Sequence, residues 1–359
     1  MTNDMTKGSP IKLILSFMVP LLIGNIFQQF YNMADTIIVG RTISVEALAA
    51  VGATGSISFL IVGFVQGVTS GFAVITAQRF GAGSENGVRR SVATSIILGI
   101  AVTIVMTAIS VLAARPLLEI MKTPSDIIDD SYNYIIVIFE GIAAAVFFNL
   151  FSSILRSLGD SKTPLVFLII ASIINIILDF VFILTFKMGV AGAGWATVIA
   201  QFISGILCFV YSLKKFPILH LKKEDFEFSG ELCRRLLALG VPMALQFSIT
   251  SIGTIIVQAA INVYGATCIA GFAAGGKIQS VMGVIFISYG AAMATYVGQN
   301  CGAGRMDRVR QGVRSTQIMV LIWSFVLMAL VLLFGKYAIY LFVDRTETDV
   351  VEAALTYFK

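Results

Sequence analysis

Charge is what this chain has least of. Of its 359 residues 13% are Asp, Glu, Lys or Arg, against about 25% in an ordinary soluble domain. With 57% hydrophobic residues and a mean hydropathy of +0.92, the apolar side chains outnumber what one globular core can bury. A cytosolic or secreted enzyme is thereby excluded, and a polytopic helical membrane protein remains. The single histidine, His220, and four scattered cysteines (Cys208, Cys233, Cys268, Cys301) without CxxC spacing imply neither a metal site nor a disulfide framework. No HExxH, Gly-x-Gly-Asp or Ser/His pairing occurs within the apolar runs, which removes the chemistry an intramembrane enzyme needs. The Gly-Ala-Gly stretch 81–83 lacks the Lys-Ser/Thr of a phosphate-binding loop and follows no strand, so it reads as a sharp turn and not a nucleotide or cofactor site.

What is present is a series of long apolar runs. A transmembrane helix needs about 20 such residues, and that window divides the chain into nine spans near 13–39, 47–76, 91–114, 132–155, 163–186, 190–213, 236–263, 268–297 and 315–343. The polar N-terminus, 1–12, is followed by a run too long for a signal-peptide core, so it is expected to stay attached. The net charge of +5 sits mostly in the connections and reads as topology, not as nucleic-acid binding. With a cytoplasmic N-terminus, 17 Lys and Arg fall inside and 6 outside (Arg41, Arg115, Lys122, Lys187, Lys336, Arg345). That asymmetry predicts a multi-pass protein of the cell membrane with its N-terminus in the cytoplasm.

The chain also repeats itself. At a shift of about 221 residues, 77–83 falls on 298–304 and Val88-Arg89 on Val309-Arg310, while Val19-Pro20 meets Val241-Pro242 and Tyr134 meets Tyr357. An even number of spans per unit gives two copies of the same orientation, related by an axis along the membrane normal. The expected architecture is all-α: two parallel-repeat six-helix lobes, twelve helices in the complete plan and about nine in this chain. The lobes divide as 1–213 and 236–359, with 214–235 as a charged cytoplasmic linker whose apolar residues also suit an interfacial helix. By the same alignment Lys359 meets Ile136, so the second copy is expected to lack three helices.

Ionisable residues inside a bilayer cost about 2.5–3.5 kcal/mol each on insertion scales and are functional candidates by default. Asp35 ends a polar stripe of Asn25, Gln28 and Asn32 on one helical face, with Tyr31 beside it; Asn175 and Asp179 share a face of the fifth span. Tyr134 and Thr197 fall at a similar depth in the outer half. Such a cluster suits proton exchange, because desolvation disfavours a charged carboxylate. It equally suits Na+, for which Asp35, Asn175, Asp179 and Thr197 offer hard oxygen donors. The plain alternative is that each Asp caps a helix or pairs locally. Pro20 and Pro242 interrupt helical hydrogen bonding and serve as hinges or static bends. Lys277 is either a charge in a cavity or a snorkelling partner of an acid, and Glu140 is a lesser candidate for the cluster. Thirteen Met and 27 Phe residues suit an adaptable apolar cavity.

Five stretches, 31–40 (YNMADTIIVG), the two Gly-Ala-Gly loops, 156–164 (RSLGDSKTP) and 175–179 (NIILD), resemble the multidrug and toxic compound extrusion (MATE) transporters, in particular their DinF-like prokaryotic branch. The resemblance spans the chain. It implies a monomeric antiporter that exports small organic, often cationic, drugs or toxins through the lipid bilayer in exchange for H+ or Na+. It also implies a cation site at Asp35, Asn175 and Asp179 with Tyr134 and Thr197 in support, and a first helix that bends at Pro20. One departure is the seventh span, which carries Gln246, Gln258 and Asn262 but no acid, unlike branches with a second-lobe cation site. The competing readings are a lipid-precursor flippase, which calls for a strongly basic cavity, and a non-transporting membrane sensor or scaffold.

Overall fold

The computed structural model describes residues 4–261, 264, 266–340 and 347–358. Among them it forms eleven α-helices and no strand: α1 Pro10–Thr42, α2 Val45–Gly81, α3 Glu85–Ile120, α4 Ile128–Glu140, α5 Ile142–Ser157, α6 Lys162–Phe180, α7 Val190–Lys215, α8 Gly230–Ile261, α9 Ala266–Gly302, α10 Met306–Ile339 and α11 Thr348–Tyr357. Eight are long and apolar enough to cross a membrane, and α4 with α5 makes a ninth candidate span, bent by 47°. Val263, Val343, Asn262, Arg345 and Lys359, on which sequence expectations fall, lie outside the described residues.

Local chemistry sets the helix ends. The Ser44 hydroxyl accepts from Ala47 N at the start of α2, and Ser84 accepts from Gly87 N at the start of α3, each satisfying an orphan N–H of a first turn. The two Gly-Ala-Gly loops make the same turn, with Gly83 at φ +68° and Gly304 at φ +69°. The expected continuous span 132–155 is instead broken at Gly141. A Cβ on Gly141 would lie 2.2 Å from Val198 Cγ2, so glycine there lets α7 press against the bend. The linker is not an interfacial helix. It folds as two 3-10 turns, Pro217–Leu219 and Lys223–Phe226, with Phe216 and Leu219 buried in one core with Val88, Val92 and Leu155. Its acid Asp225 pairs with Arg89 at 3.4 Å.

The repeats meet along α2, which packs most extensively on α8 and also touches α9. At one end the crossing of α2 with α9 is reciprocal: a Cβ on Gly81 would lie 1.9 Å from Gln299 O, and one on Gly302 would lie 1.8 Å from Gln78 O. Gly81 and Gly302, like Gln78 and Gln299, are partners in the internal repeat. That symmetry is the signature of a two-fold axis between the copies. On the α1 side, Ile14, Phe17 and Met18 pack with Tyr289 and Tyr296 of α9.

Candidate functional site

Asp35 on α1 and Asp179 near the end of α6 are 7% and 0% exposed, and Asn175 is 0% exposed. The two carboxyl groups face one another within hydrogen-bonding reach. At 1.5 Å per residue, Asp35 lies about 10 Å from the end of α1, and Thr197 lies about 10 Å from the start of α7, so the groups meet at one level. Tyr31 OH donates to Thr197 Oγ1 at 3.2 Å. Asn175 has two amide orientations. In one, Nδ2 donates to Thr197 Oγ1 at 3.3 Å; in the other it donates to Asp179 Oδ2 and its oxygen accepts from Thr197 N, both at 3.2 Å. The second satisfies both ends of the amide. Tyr31 and Tyr134 are close enough to feel both acids.

The surroundings keep this cluster dry. Ile38, Val39, Ile183, Val190 and Ala193 form a buried apolar layer against which Tyr134 and Ile176 pack. Directly after Asp179 the chain winds into a π-helical turn, Val181–Thr185, a feature that recurs at functional positions in helices. Asp35 Oδ1 and Asp179 Oδ1 are buried without a hydrogen-bond partner. Two neighbouring buried carboxylates repel one another unless a proton or a small cation binds there. The donor set is hard, two carboxylates and a hydroxyl, with the Asn175 amide turned to donate to Asp179. It therefore fits a proton or Na+ and offers nothing to a soft transition metal.

Adjoining the cluster is a cleft of about 890 Å³, its open mouth included, walled by α1, α2, α5, α6 and α7. Pro20, Gln28 and Tyr31 line it, as do Asn149, Arg156 and Gln201. Among the described residues Arg156 is the only charged side chain of the lining; its Nη2 donates to Ser152 Oγ at 2.7 Å and its Nε to Ser152 O at 3.2 Å. Tyr31 thus belongs to both structures, forming part of the cleft wall and donating its hydroxyl to the acid cluster.

Not every sequence candidate joins this site. Asn32 is exposed and lies outside the cleft lining, as does Lys277 on α9. Glu140 is exposed at the α4–α5 bend, turned away because the bend presents Phe139 to the core in its place. Asn25 lines the cleft but gives its amide to Ser288 Oγ of α9 at 3.1 Å. The polar stripe on α1 therefore serves several purposes. Pro20 sits within an α1 that runs on without a break. Sequence reasoning missed Arg156, Asn149 and Gln201. The signal was there: 149, 152 and 156 recur at helical spacing, and Gln201 follows Thr197 by one turn.

Buried acids on two spans beside a polar cleft, in a chain with many membrane-crossing helices, define a multi-pass membrane transporter. The MatE family model matches residues 20–181 and 242–359, and the chain belongs to that family. It is 30% identical over 358 residues to "Probable multidrug resistance protein YpnP" of Bacillus subtilis (strain 168), covering 99% of this chain and 79% of that protein. It is 25% identical to "Probable multidrug resistance protein NorM" of Thermotoga maritima, covering 94% and 73% of the two chains. Among solved structures, "Crystal structure of MATE in the bent conformation" superposes with a TM-score of 0.90 at 26% identity, covering 99% of this chain and 80% of that one.

Proposed function

We propose that the protein is a secondary antiporter that exports small organic compounds of the drug or toxin kind, driven by H+ or Na+ entering at Asp35 and Asp179. The observation that carries this reading is the link from the carboxyl pair to the cleft: Asp179, Asn175, Thr197 and Tyr31 form one hydrogen-bonded series ending in the cleft wall. A proton or cation bound between the acids removes their repulsion and draws α1 toward α6. Because Tyr31 and Asp35 are one turn apart on α1, the same shift alters the cleft. Pro20 cannot donate to the carbonyl of Ser16, so α1 is weakest at the cleft wall and bends there most easily.

In this reading 1–213 and 236–359 are the two lobes, 214–235 is their linker, and the chain works as a monomer in the cell membrane with its N-terminus in the cytoplasm. The names of the relatives support drug-like substrates. The flippase reading needs a strongly basic cleft, and among the described residues Arg156 is its single cation. In proteoliposomes, efflux under a proton gradient without sodium, and then the reverse, identifies the driving ion. Asp35→Asn and Asp179→Asn are each expected to abolish gradient-driven efflux while insertion is kept; retained efflux in either would overturn the assignment.

A further inference from the structure

A second pocket lies where the ends of α2, α3 and α8 meet, on the face that carries most of the lysine and arginine. Arg79 reaches it from the last turn of α2, Arg90 from α3 and Arg235 from α8, with Asn86, Ser229 and Glu231 in the wall. Three guanidinium groups thus share the wall with one carboxylate. Arg235 pairs with Glu231 at 2.5 Å and Arg90 with Glu227 at 3.1 Å, but these side chains are about half exposed or more, where ion pairs contribute little. Each arginine keeps further N–H donors. Among the described residues Arg79 makes no ion pair; its stem lies along the first turn of α3, where a Cβ on Gly87 would come 3.0 Å from Arg79 Cδ. The amino ends of α3 and α8 open onto the same pocket, and their dipoles favour negative charge.

What lies next to the pocket indicates the form the anion takes. Leu98 and Val102 of α3 and Leu232 and Leu239 of α8 pack on one cluster with Val68, Phe72 and Ile75 of α2, so α3 and α8 both leave the arginines along α2. Ile97, Ile100 and Ile104 of α3 are all exposed, and Ile97 and Ile104 follow Arg90 at seven-residue intervals, on the arginine's own face of the helix. From Arg90 to Ile104 the rise is about 20 Å, enough to follow the roughly 15 Å of hydrocarbon in one leaflet. A phosphate-binding head above an exposed apolar helix face of leaflet length matches a phospholipid, and basic pockets between spans on the cytoplasmic side are where anionic headgroups bind.

We propose that Arg79, Arg90 and Arg235 bind the phosphate headgroup of an anionic phospholipid whose acyl chains lie along the exposed apolar face of α3. The lipid bridges α2 and α3 of the first repeat to α8 of the second. The site is independent of the carboxyl cluster and of the transport reading.

Native mass spectrometry of the full chain, titrated with phosphatidylglycerol or phosphatidylcholine, tests this. Phosphatidylglycerol should bind at least tenfold tighter, and Arg79→Gln, Arg90→Gln and Arg235→Gln should each weaken it about fivefold without affecting phosphatidylcholine. Equal affinity for the two lipids, or unchanged phosphatidylglycerol affinity in all three variants, would overturn the proposal. Glycerol 3-phosphate, which has the phosphate and no acyl chain, should bind at least tenfold more weakly than phosphatidylglycerol; binding as tight as the lipid would mean a soluble anion site instead. Arg90 and Arg235 are exposed and Arg79 is half-buried; each single variant is checked for helicity and insertion before titration, and the wild-type lipid comparison stands without them.

Discussion

Asp35 and Asp179 each leave one buried carboxyl oxygen without a partner, and in the proposed coupling Tyr31 carries the effect of cation binding to the cleft. Tyr31→Phe removes only the hydroxyl that donates to Thr197. A neutral hydrogen bond of this kind contributes about 1 kcal/mol. The variant should therefore bind the driving cation within about threefold of wild type yet lose roughly fivefold or more in efflux rate. Equal losses in both would make Tyr31 part of the cation site itself. Helical spacing alone made these residues legible, since Asn175 and Asp179 share a face and Asp35 follows the α1 stripe. It did not reveal which of several facing helices each one meets. Asn25 and Asp35 lie on that same stripe, yet one bonds Ser288 of α9 and the other faces α6.

At the level of single elements, the bend between α4 and α5 positions the site. Gly141 admits Val198, the neighbour of Thr197 on α7, closer than any side chain would allow. Gly141→Ala should destabilise the protein by about 1–3 kcal/mol, the usual cost of overpacking, read as a lower melting temperature together with reduced efflux. Val198→Ala in the same chain should restore much of both, because it removes the stiff branched methyls that the new Cβ meets. A double variant no better than Gly141→Ala would place the defect elsewhere. The apolar run 132–155 announced a span but not this break, because a glycine inside such a run is compatible with a straight helix. The π turn after Asp179 was equally silent, since its sequence Val-Phe-Ile-Leu-Thr fits α-helix, and only packing against α7 distinguishes the two.

For the whole molecule, the repeat in the sequence anticipated a two-fold arrangement, and the reciprocal crossing at Gly81 and Gly302 gives it a physical location. Each glycine lies against a carbonyl of the other copy, which is why a side chain cannot stand at either position. Gly81→Ala and Gly302→Ala should each lower thermal stability by a similar amount, about 1–3 kcal/mol. Gly290→Ala, whose Cβ would meet nothing within 4 Å, should be neutral in the same assay. Unequal losses would argue against a symmetric seam. The sequence did not show how the linker folds, because Phe216 and Leu219 dock on α3 and α5 through contacts distant in the chain.

The central claim is that one acid pair holds the driving cation and gives it up in response to substrate. Purified protein should release protons into weakly buffered detergent solution, or bound ²²Na⁺, when an exported compound is added. The account predicts release from the wild type and none from the Asp35→Asn, Asp179→Asn double variant; release of equal size from both would contradict it.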